Sequence, residues 1–160
     1  MLYMSYPDNY IDLDQIDRQI VHMLQTSGRD SASHIAEKIG MSVPAVTDRI
    51  RKLQDSGVIK GFQAVIDPKR VGLDVSAFIT VISESSAHYS DVEEAANNSS
   101  EVIQCFTTTG NGSHVLIVQT KNTSTLEKLL RKIQSWPGVI RTETQIILSN
   151  YKQQNEIKIP

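Results

Sequence analysis

The N-terminal part of the chain contains three short stretches in which hydrophobic residues recur every three or four positions, as on one side of an α-helix. A residue that can cap a helix N-terminus stands before each stretch: Asp14, Ser31 and Ser42. Gly28 follows the first stretch and Gly40 the second, where a helix commonly ends. The pattern therefore predicts three helices, the last two joined by a tight turn.

Two short helices joined in this way are typical of a helix-turn-helix motif, whose second helix lies in the major groove of DNA. Val46, Ile50 and Leu53 form the inner face of the second helix. Its outer face is small and polar near the N-terminus, which suits base edges, and cationic in the middle, which suits phosphates. The predicted DNA-contacting residues are Ser42, Val43, Pro44, Ala45, Thr47, Asp48, Arg49, Arg51 and Lys52. An ordinary solvated helix face is the alternative interpretation.

After Gly57 the hydrophobic pattern changes to that of β-strands. Residues 58–66 predict a strand or wing, on which Lys60 either contacts a phosphate or is simply solvated. Further along, the predicted elements follow the order β-α-β-β-α-β, with strands at 75–83, 102–109, 114–120 and 139–148 and helices around 89–98 and 126–133. This order is the ferredoxin-like plan, in which both helices cover one face of an antiparallel sheet. The other face is also apolar, which implies a partner subunit.

The predicted fold class is therefore α+β. A winged helix-turn-helix domain is expected in residues 1–60, with residues 1–11 as a flexible lead-in. A linker strand is expected in residues 61–74, and a ferredoxin-like βαββαβ domain for regulation and oligomerisation in residues 75–160.

Composition agrees with a folded chain that carries a local basic edge. The 160 residues allow one large or two small domains, and 39% hydrophobic with 21% charged residues favours a packed core over disorder. The formal net charge is −2, yet the segment from Arg49 to Arg70 holds six cations and two acidic residues. This asymmetry indicates an edge that faces an anion, although a chance cluster gives the same count.

The sequence gives little support for a secreted, membrane-spanning, metal-binding or catalytic protein. Cys105 is the only cysteine, so no intrachain disulfide can form, which fits a reducing cytoplasm. The N-terminus does not resemble a signal peptide, and no apolar run approaches the roughly 18 residues of a membrane helix. The four histidines lack the spacing of a metal site, and no phosphate-binding loop or nucleophile elbow appears. We therefore expect no enzymatic activity, no catalytic residues, no metal, no cofactor and no membrane.

Several short motifs resemble one family. Residues 42–46 (SVPAV), 48–53 (DRIRKL) and 57–59 (GVI) resemble the DNA-binding domain of the leucine-responsive regulatory protein/AsnC (Lrp/AsnC) family, and residues 13–18 resemble its opening helix. The likeness continues through the second half. It implies a cytoplasmic, nucleoid-associated transcriptional regulator that binds double-stranded DNA. It also implies a homodimer formed through the sheet and the linker strand, with further assembly into tetramers or octamers.

The resemblance also implies a site for an effector, commonly an amino acid, near the turn between the middle two strands. In many members this turn is Gly-Asp-x-Asp, whereas here it comprises Gly110, Asn111, Gly112, Ser113 and His114. Both acidic positions are neutral, which predicts a weak or absent response to amino acids, or an effector without a positive charge. A plain hairpin loop is the alternative interpretation of this turn.

Two other classes of function stay open from the sequence. One is an architectural DNA-binding protein that acts without an effector, and the neutral turn favours it. The other is a ferredoxin-like domain that binds or converts a small molecule and carries an incidental helical appendage.

Overall fold

The computed structural model describes residues 11–152 and 156–160. The chain forms two compact units. Unit 1 comprises the described residues up to Ala64 together with those from Lys152 onward, and unit 2 comprises Val65–Tyr151. The structure thus differs from the predicted boundaries, because the last residues of the chain belong to the first unit. Apart from Ile11, the predicted lead-in lies outside the described residues.

Unit 1 contains three helices: α1 (Gln15–Thr26), α2 (Ala32–Ile39) and α3 (Val43–Asp55). The three predicted N-caps are confirmed. The Asp14 carboxylate accepts from the N–H of Asp17 at 2.7 Å, and the Ser31 and Ser42 hydroxyls accept from backbone N–H groups three residues further on. Gly40 ends α2 with a φ of 70°, a left-handed conformation that costs glycine little.

A small apolar core holds the three helices together. Its buried members come from every helix, among them Ile20, Leu24, Ile35, Val46 and Leu53. Ile159, from the far end of the chain, packs against this core. The hydrophobic pattern did not predict that contribution.

The segment after α3 does not form the strand that the sequence predicts at 61–74. Residues 60–67 contain no regular secondary structure, and a short 3-10 helix follows at Lys69–Val71. Phe62, Val65 and Ile66 are all exposed. A strand requires a neighbour for its N–H and C=O groups, and this segment has none among the described residues. Pairing of this segment with a second subunit stays a prediction.

Unit 2 contains four strands and two longer helices in the predicted order: β1 (Val75–Ser83), α4 (Tyr89–Asn97), β2 (Val102–Thr107), β3 (His114–Thr120), α5 (Thr123–Gln134) and β4 (Val139–Ile146). The sheet order is β2-β3-β1-β4, and each pair is antiparallel. The ferredoxin-like prediction is confirmed. Strands β2 and β4 each end two residues earlier than predicted.

The two faces of this sheet differ in how they are covered. One face packs against α4 and α5 around a core that includes Ala77, Ile79, Val81, Val92, Leu116, Leu129 and Ile133. The other face presents Phe78 opposite Ile117 and Phe106 opposite Val115. Phe78 and Phe106 remain 39% and 47% exposed. No helix among the described residues is long and apolar enough to span a membrane.

Candidate nucleic-acid interface and effector turn

Helix α3 presents most of the predicted DNA-contacting residues on one solvent-facing side. Val46 and Leu53 are buried and fix the opposite side on the core of unit 1. Six predicted residues are exposed, and Ala45, Asp48 and Arg49 are half-buried; the exposed ones are Ser42, Val43, Pro44, Thr47, Arg51 and Lys52. The structure therefore brings the small N-terminal residues and the two following cations together on one accessible surface.

The two cations on this surface are paired with an acidic residue of the same helix. A carboxylate oxygen of Asp48 lies 2.5 Å from the guanidinium of Arg51, and the other lies 2.8 Å from the ammonium of Lys52. Hydrogen bonds from Lys52 and then Arg51 hold the pKa of Asp48 below its usual value. Asp48 therefore stays ionised at neutral pH, and a DNA phosphate must compete with it for both cations.

Arg49 points toward α1 rather than toward the outer surface of α3. Its guanidinium nitrogen Nη1 lies 2.6 Å from the Asp14 carboxylate and 2.7 Å from that of Asp17. The Asp17 N–H and then the Arg49 guanidinium lower the pKa of Asp14. Arg49 thus links α3 to the first turn of α1, and its predicted contact with DNA stays a prediction.

The predicted effector turn divides into an exposed and a buried part. Gly110 and Asn111 are exposed, whereas Ser113 and His114 are buried. Gly112 lies so close to β1 that an added Cβ would stand 2.2 Å from the Cγ2 of Thr80. A ligand that approaches from solvent therefore meets Gly110 and Asn111, while the side chains of Ser113 and His114 face the interior of unit 2.

The hydroxyl of Ser113 is committed to internal hydrogen bonds. It lies 2.7 Å from the hydroxyl of Ser83, donates to the carbonyl of Val81 at 3.2 Å, and lies 2.9 Å from Nδ1 of His114. These contacts attach the end of the turn to β1. Ser113 is one of the predicted effector-turn residues, and its hydroxyl already takes part in these internal hydrogen bonds.

His114 is fully buried beneath the turn. Its ring meets that of Tyr89 edge-on, with centroids 4.9 Å apart. Among the described residues its Nε2 has no hydrogen-bond partner, and the nearest carboxylate, that of Glu93, lies 3.9 Å away. Burial lowers the pKa of His114, and Glu93 opposes that shift. The imidazole is therefore neutral near pH 7, since desolvation disfavours its charged form.

Sequence reasoning identified the turn but not the residues behind it. Ser83, Tyr89 and Glu93 belong to elements that precede it in the chain and approach it only in the folded domain. One signal was present: His114 alternates with Leu116 and Val118, both of which face the core. That alternation assigns His114 to the interior.

An exposed second helix of a helix-turn-helix, followed by a βαββαβ domain, defines the chain as a transcriptional regulator of the helix-turn-helix type. Two family models match it: the AsnC-type helix-turn-helix domain over residues 13–54, and the Lrp/AsnC ligand binding domain over residues 75–157. The chain belongs to the Lrp/AsnC family of transcriptional regulators.

Relatives and solved structures are similar to this chain over nearly its whole length. The HTH-type transcriptional regulator FL11 of Pyrococcus horikoshii is 36% identical over 93% of this chain and 98% of its own length. The HTH-type transcriptional regulator LrpA of Mycobacterium tuberculosis is 36% identical over 87% of this chain and 92% of its own. A feast or famine regulatory protein from M. tuberculosis, solved in complex with L-methionine, is similar at a TM-score of 0.86 and 34% identity, covering 91% of this chain and 99% of that one.

Proposed function

We propose that this regulator binds double-stranded DNA through α3, in the cytoplasm and at the nucleoid. Ser42, Pro44, Ala45, Thr47 and Asp48 lie closest to the base edges. Arg51 and Lys52 contribute affinity through phosphate or base contacts. The observation that carries this proposal is the outer face of α3, where small side chains and two cations are accessible while Val46 and Leu53 anchor the opposite side. Small side chains allow close approach to the major groove, and cations beyond them suit its phosphate borders.

The DNA-bound form is a symmetric dimer. A single recognition helix contacts too few base pairs for useful specificity, and helix-turn-helix proteins pair two of them across the duplex. The uncovered sheet face around Phe78 and Phe106 supplies an apolar surface of the kind that marks a subunit interface. Residues 62–66 add a strand that pairs with the same segment of the second subunit. Tetramers or octamers form from these dimers.

The effector is a small metabolite that binds at the exposed part of the turn, next to Gly110 and Asn111. The L-methionine complex of the M. tuberculosis relative supports a small-molecule site in this family. The turn of this chain lacks a carboxylate, so an ammonium group would find only neutral acceptors there. We expect weak binding of free amino acids, or an effector without a positive charge. Calorimetric titration with the common amino acids tests this, and micromolar binding of any one of them would contradict it.

The DNA-binding proposal is tested by comparing two exposed arginines. Arg51→Ala should weaken binding to a fragment selected from genomic DNA by about 1–3 kcal/mol if Arg51 contacts a guanine. If it contacts a phosphate, the slope of log affinity against log salt should instead fall by about one unit. Arg131→Ala is the matched control, since Arg131 is also exposed and paired on a helix, with Glu127 at 2.7 Å. Unchanged binding by a variant that lacks both Arg51 and Lys52 would exclude this docking.

The dimer proposal is tested by sedimentation of the full chain at micromolar concentration. Phe106→Glu should dissociate the dimer, because a charge would be buried in the interface, while the folded subunit already exposes this side chain. Leu148→Glu, at an exposed apolar residue beyond β4, is the control and should leave the dimer intact. A monomeric unaltered protein would refute the proposal.

A further inference from the structure

Helix α1 carries three polar side chains that the DNA-binding proposal does not use. Arg18, His22 and Gln25 are spaced four and three residues apart, so they project from one side of the helix. Ile20 and Leu24 belong to the core of unit 1 on the other side. These three side chains form a stripe along which residues 156–160 of the same chain lie. The stripe and residues 156–159 together line a groove of about 440 Å³.

Gln25 contacts the backbone of the segment at two points. Its Nε2 donates to the carbonyl oxygen of Ile157 at 3.1 Å, and the Ile157 N–H donates to its Oε1 at 2.8 Å. A side-chain amide that pairs with both polar groups of one peptide residue recognises extended backbone without selecting a side chain. The Ile157 side chain accordingly faces solvent and is 71% exposed.

Contacts on both sides of Ile157 fix the register of the segment. The Nδ1 of His22 lies 3.0 Å from the carboxylate of Glu156, and the guanidinium of Arg18 donates to the carbonyl of Pro160. Ile159 is half-buried and packs against the core of unit 1. The exposed contact between His22 and Glu156 contributes little on its own, so the two hydrogen bonds of Gln25 and the packing of Ile159 carry the docking.

We propose that this stripe of α1 is a docking site for an extended chain segment, and that residues 156–160 occupy it as a reversible clip. The chain leaves unit 1 after Ala64, forms unit 2, and returns to unit 1 at Lys152. The docked clip is therefore a second connection between the DNA-binding unit and unit 2. Its release leaves one connection and loosens the DNA-binding unit without unfolding it.

The chemistry of the site makes the clip reversible. The hydrogen bonds of Gln25 are exposed to water, so each contributes little to stability. The clip is nevertheless part of the same chain, so it stays at high effective concentration near the stripe. Such a contact opens and closes readily.

Hydrogen exchange in the full chain tests the docking site directly. In the unaltered protein the amide of Ile157 should be protected, because it donates to Gln25. Gln25→Ala should accelerate its exchange by about tenfold. Gln19→Ala, at an exposed residue of the same helix outside the groove, should leave it unchanged. Exchange of Ile157 at the rate of an unstructured peptide in the unaltered chain would overturn the proposal.

Two isoleucines of the clip provide a second, matched comparison. Ile159→Ser should accelerate exchange of the Ile157 amide, because Ile159 packs on the core. Ile157→Ser should not, because only the backbone of residue 157 is bound. Equal effects of the two substitutions would mean that the segment does not dock in this register.

The effect of the clip on DNA rests on the proposed DNA binding and is measured separately. Loss of the second connection should weaken binding of the selected DNA fragment by about threefold to tenfold in Gln25→Ala, and not in Gln19→Ala. If exchange of Ile157 accelerates while DNA affinity stays constant, the clip does not restrain the DNA-binding unit. If the unaltered chain fails to bind DNA at all, the proposed function fails, while the exchange result still decides the docking site.

Discussion

The hydroxyl oxygen of Ser113 lies 2.7 Å from that of Ser83, in the interior of unit 2. This contact attaches Ser113 to β1 and removes its hydroxyl from the surface. In the resemblance to the Gly-Asp-x-Asp turn, Ser113 stands at an acidic position. In the folded chain it is a structural residue, so the turn offers a ligand mainly Asn111 and backbone groups.

Ser113→Asp should destabilise unit 2 by about 2–4 kcal/mol, because it places a carboxylate among groups already paired with one another. Asn111→Asp, at an exposed residue of the same turn, should change stability by less than about 0.5 kcal/mol. Urea unfolding of the two variants measures the difference. If the two variants are equally stable, the side chain at position 113 can turn toward solvent and the site has room for an acidic residue there.

Gly112→Ala should destabilise the domain by about 1–3 kcal/mol through overpacking. The added Cβ would stand 2.2 Å from Cγ2 of Thr80 and 3.1 Å from the carbonyl oxygen of Val81. Thr80→Ser removes the nearer atom, so the double variant should recover part of the loss. A double-mutant cycle of Gly112→Ala and Thr80→Ser measures this coupling. If the two stability changes simply add, the backbone of the turn shifts away from Thr80 and no clash forms.

Stability should fall in acid partly through Asp14. Its folded-state pKa lies below 3.8 because the Asp17 N–H and the Arg49 guanidinium favour the carboxylate. Such a group stabilises the fold above its unfolded pKa and loses that contribution as pH falls through the folded pKa. Asp14→Asn keeps a capping oxygen but cannot ionise. At neutral pH the melting temperature of Asp14→Asn should be lower than that of the unaltered chain, and the two melting temperatures should converge toward about pH 2. If the difference between them stays the same at every pH, Asp14 does not have this role.

Cys105 should be a poor nucleophile in the folded protein. Burial, assisted by the nearby carboxylate of Glu93, raises the pKa of its thiol to about 11. At pH 8 alkylation by iodoacetamide should be about a hundredfold slower than for an ordinary free thiol, because only the thiolate reacts. Mass spectrometry follows the modification, and unfolding in urea should restore the normal rate. Rapid labelling of the native protein would show that β2 opens frequently.

Local signals explain why most of the fold was predictable from the sequence. A helix N-cap and a terminal glycine act within a few residues, so Asp14, Ser31, Ser42 and Gly40 marked helix ends that the structure confirms. Strand β1 was predicted to its end residues, because its apolar run is bounded by polar residues. The linker strand predicted at 61–74 does not form in the single chain, because hydrophobic composition does not supply a neighbouring strand, and it stays a prediction for a dimer.

Contacts between distant residues were not predictable in this way. The sequence placed Arg49 among the predicted DNA-contacting residues of α3, but a helical projection contains no information about Asp14 and Asp17, more than thirty residues earlier. The same limit applies to the docking of residues 156–160, because their short alternation of charged and apolar residues carries no information about the surface on which they dock. The sequence therefore placed the candidate residues on α3 and on the turn, where their roles stay predictions, while the partners of their side chains required the folded chain.

The pairing of Asp48 with Arg51 and Lys52 has a consequence for how the regulator finds its binding site. Non-specific affinity for DNA comes almost entirely from cations that neutralise phosphates. On α3 one carboxylate already offsets part of that charge, so a random sequence gains less from contact with the helix. In the proposed docking, a sequence whose base edges engage the N-terminal half of α3 gains contacts that a random sequence lacks. The internal acid thus lowers the sequence-independent part of the affinity, so that base contacts supply a larger share of binding at a specific site. The ratio of specific to non-specific binding, which decides occupancy in a genome, then depends mainly on those base contacts.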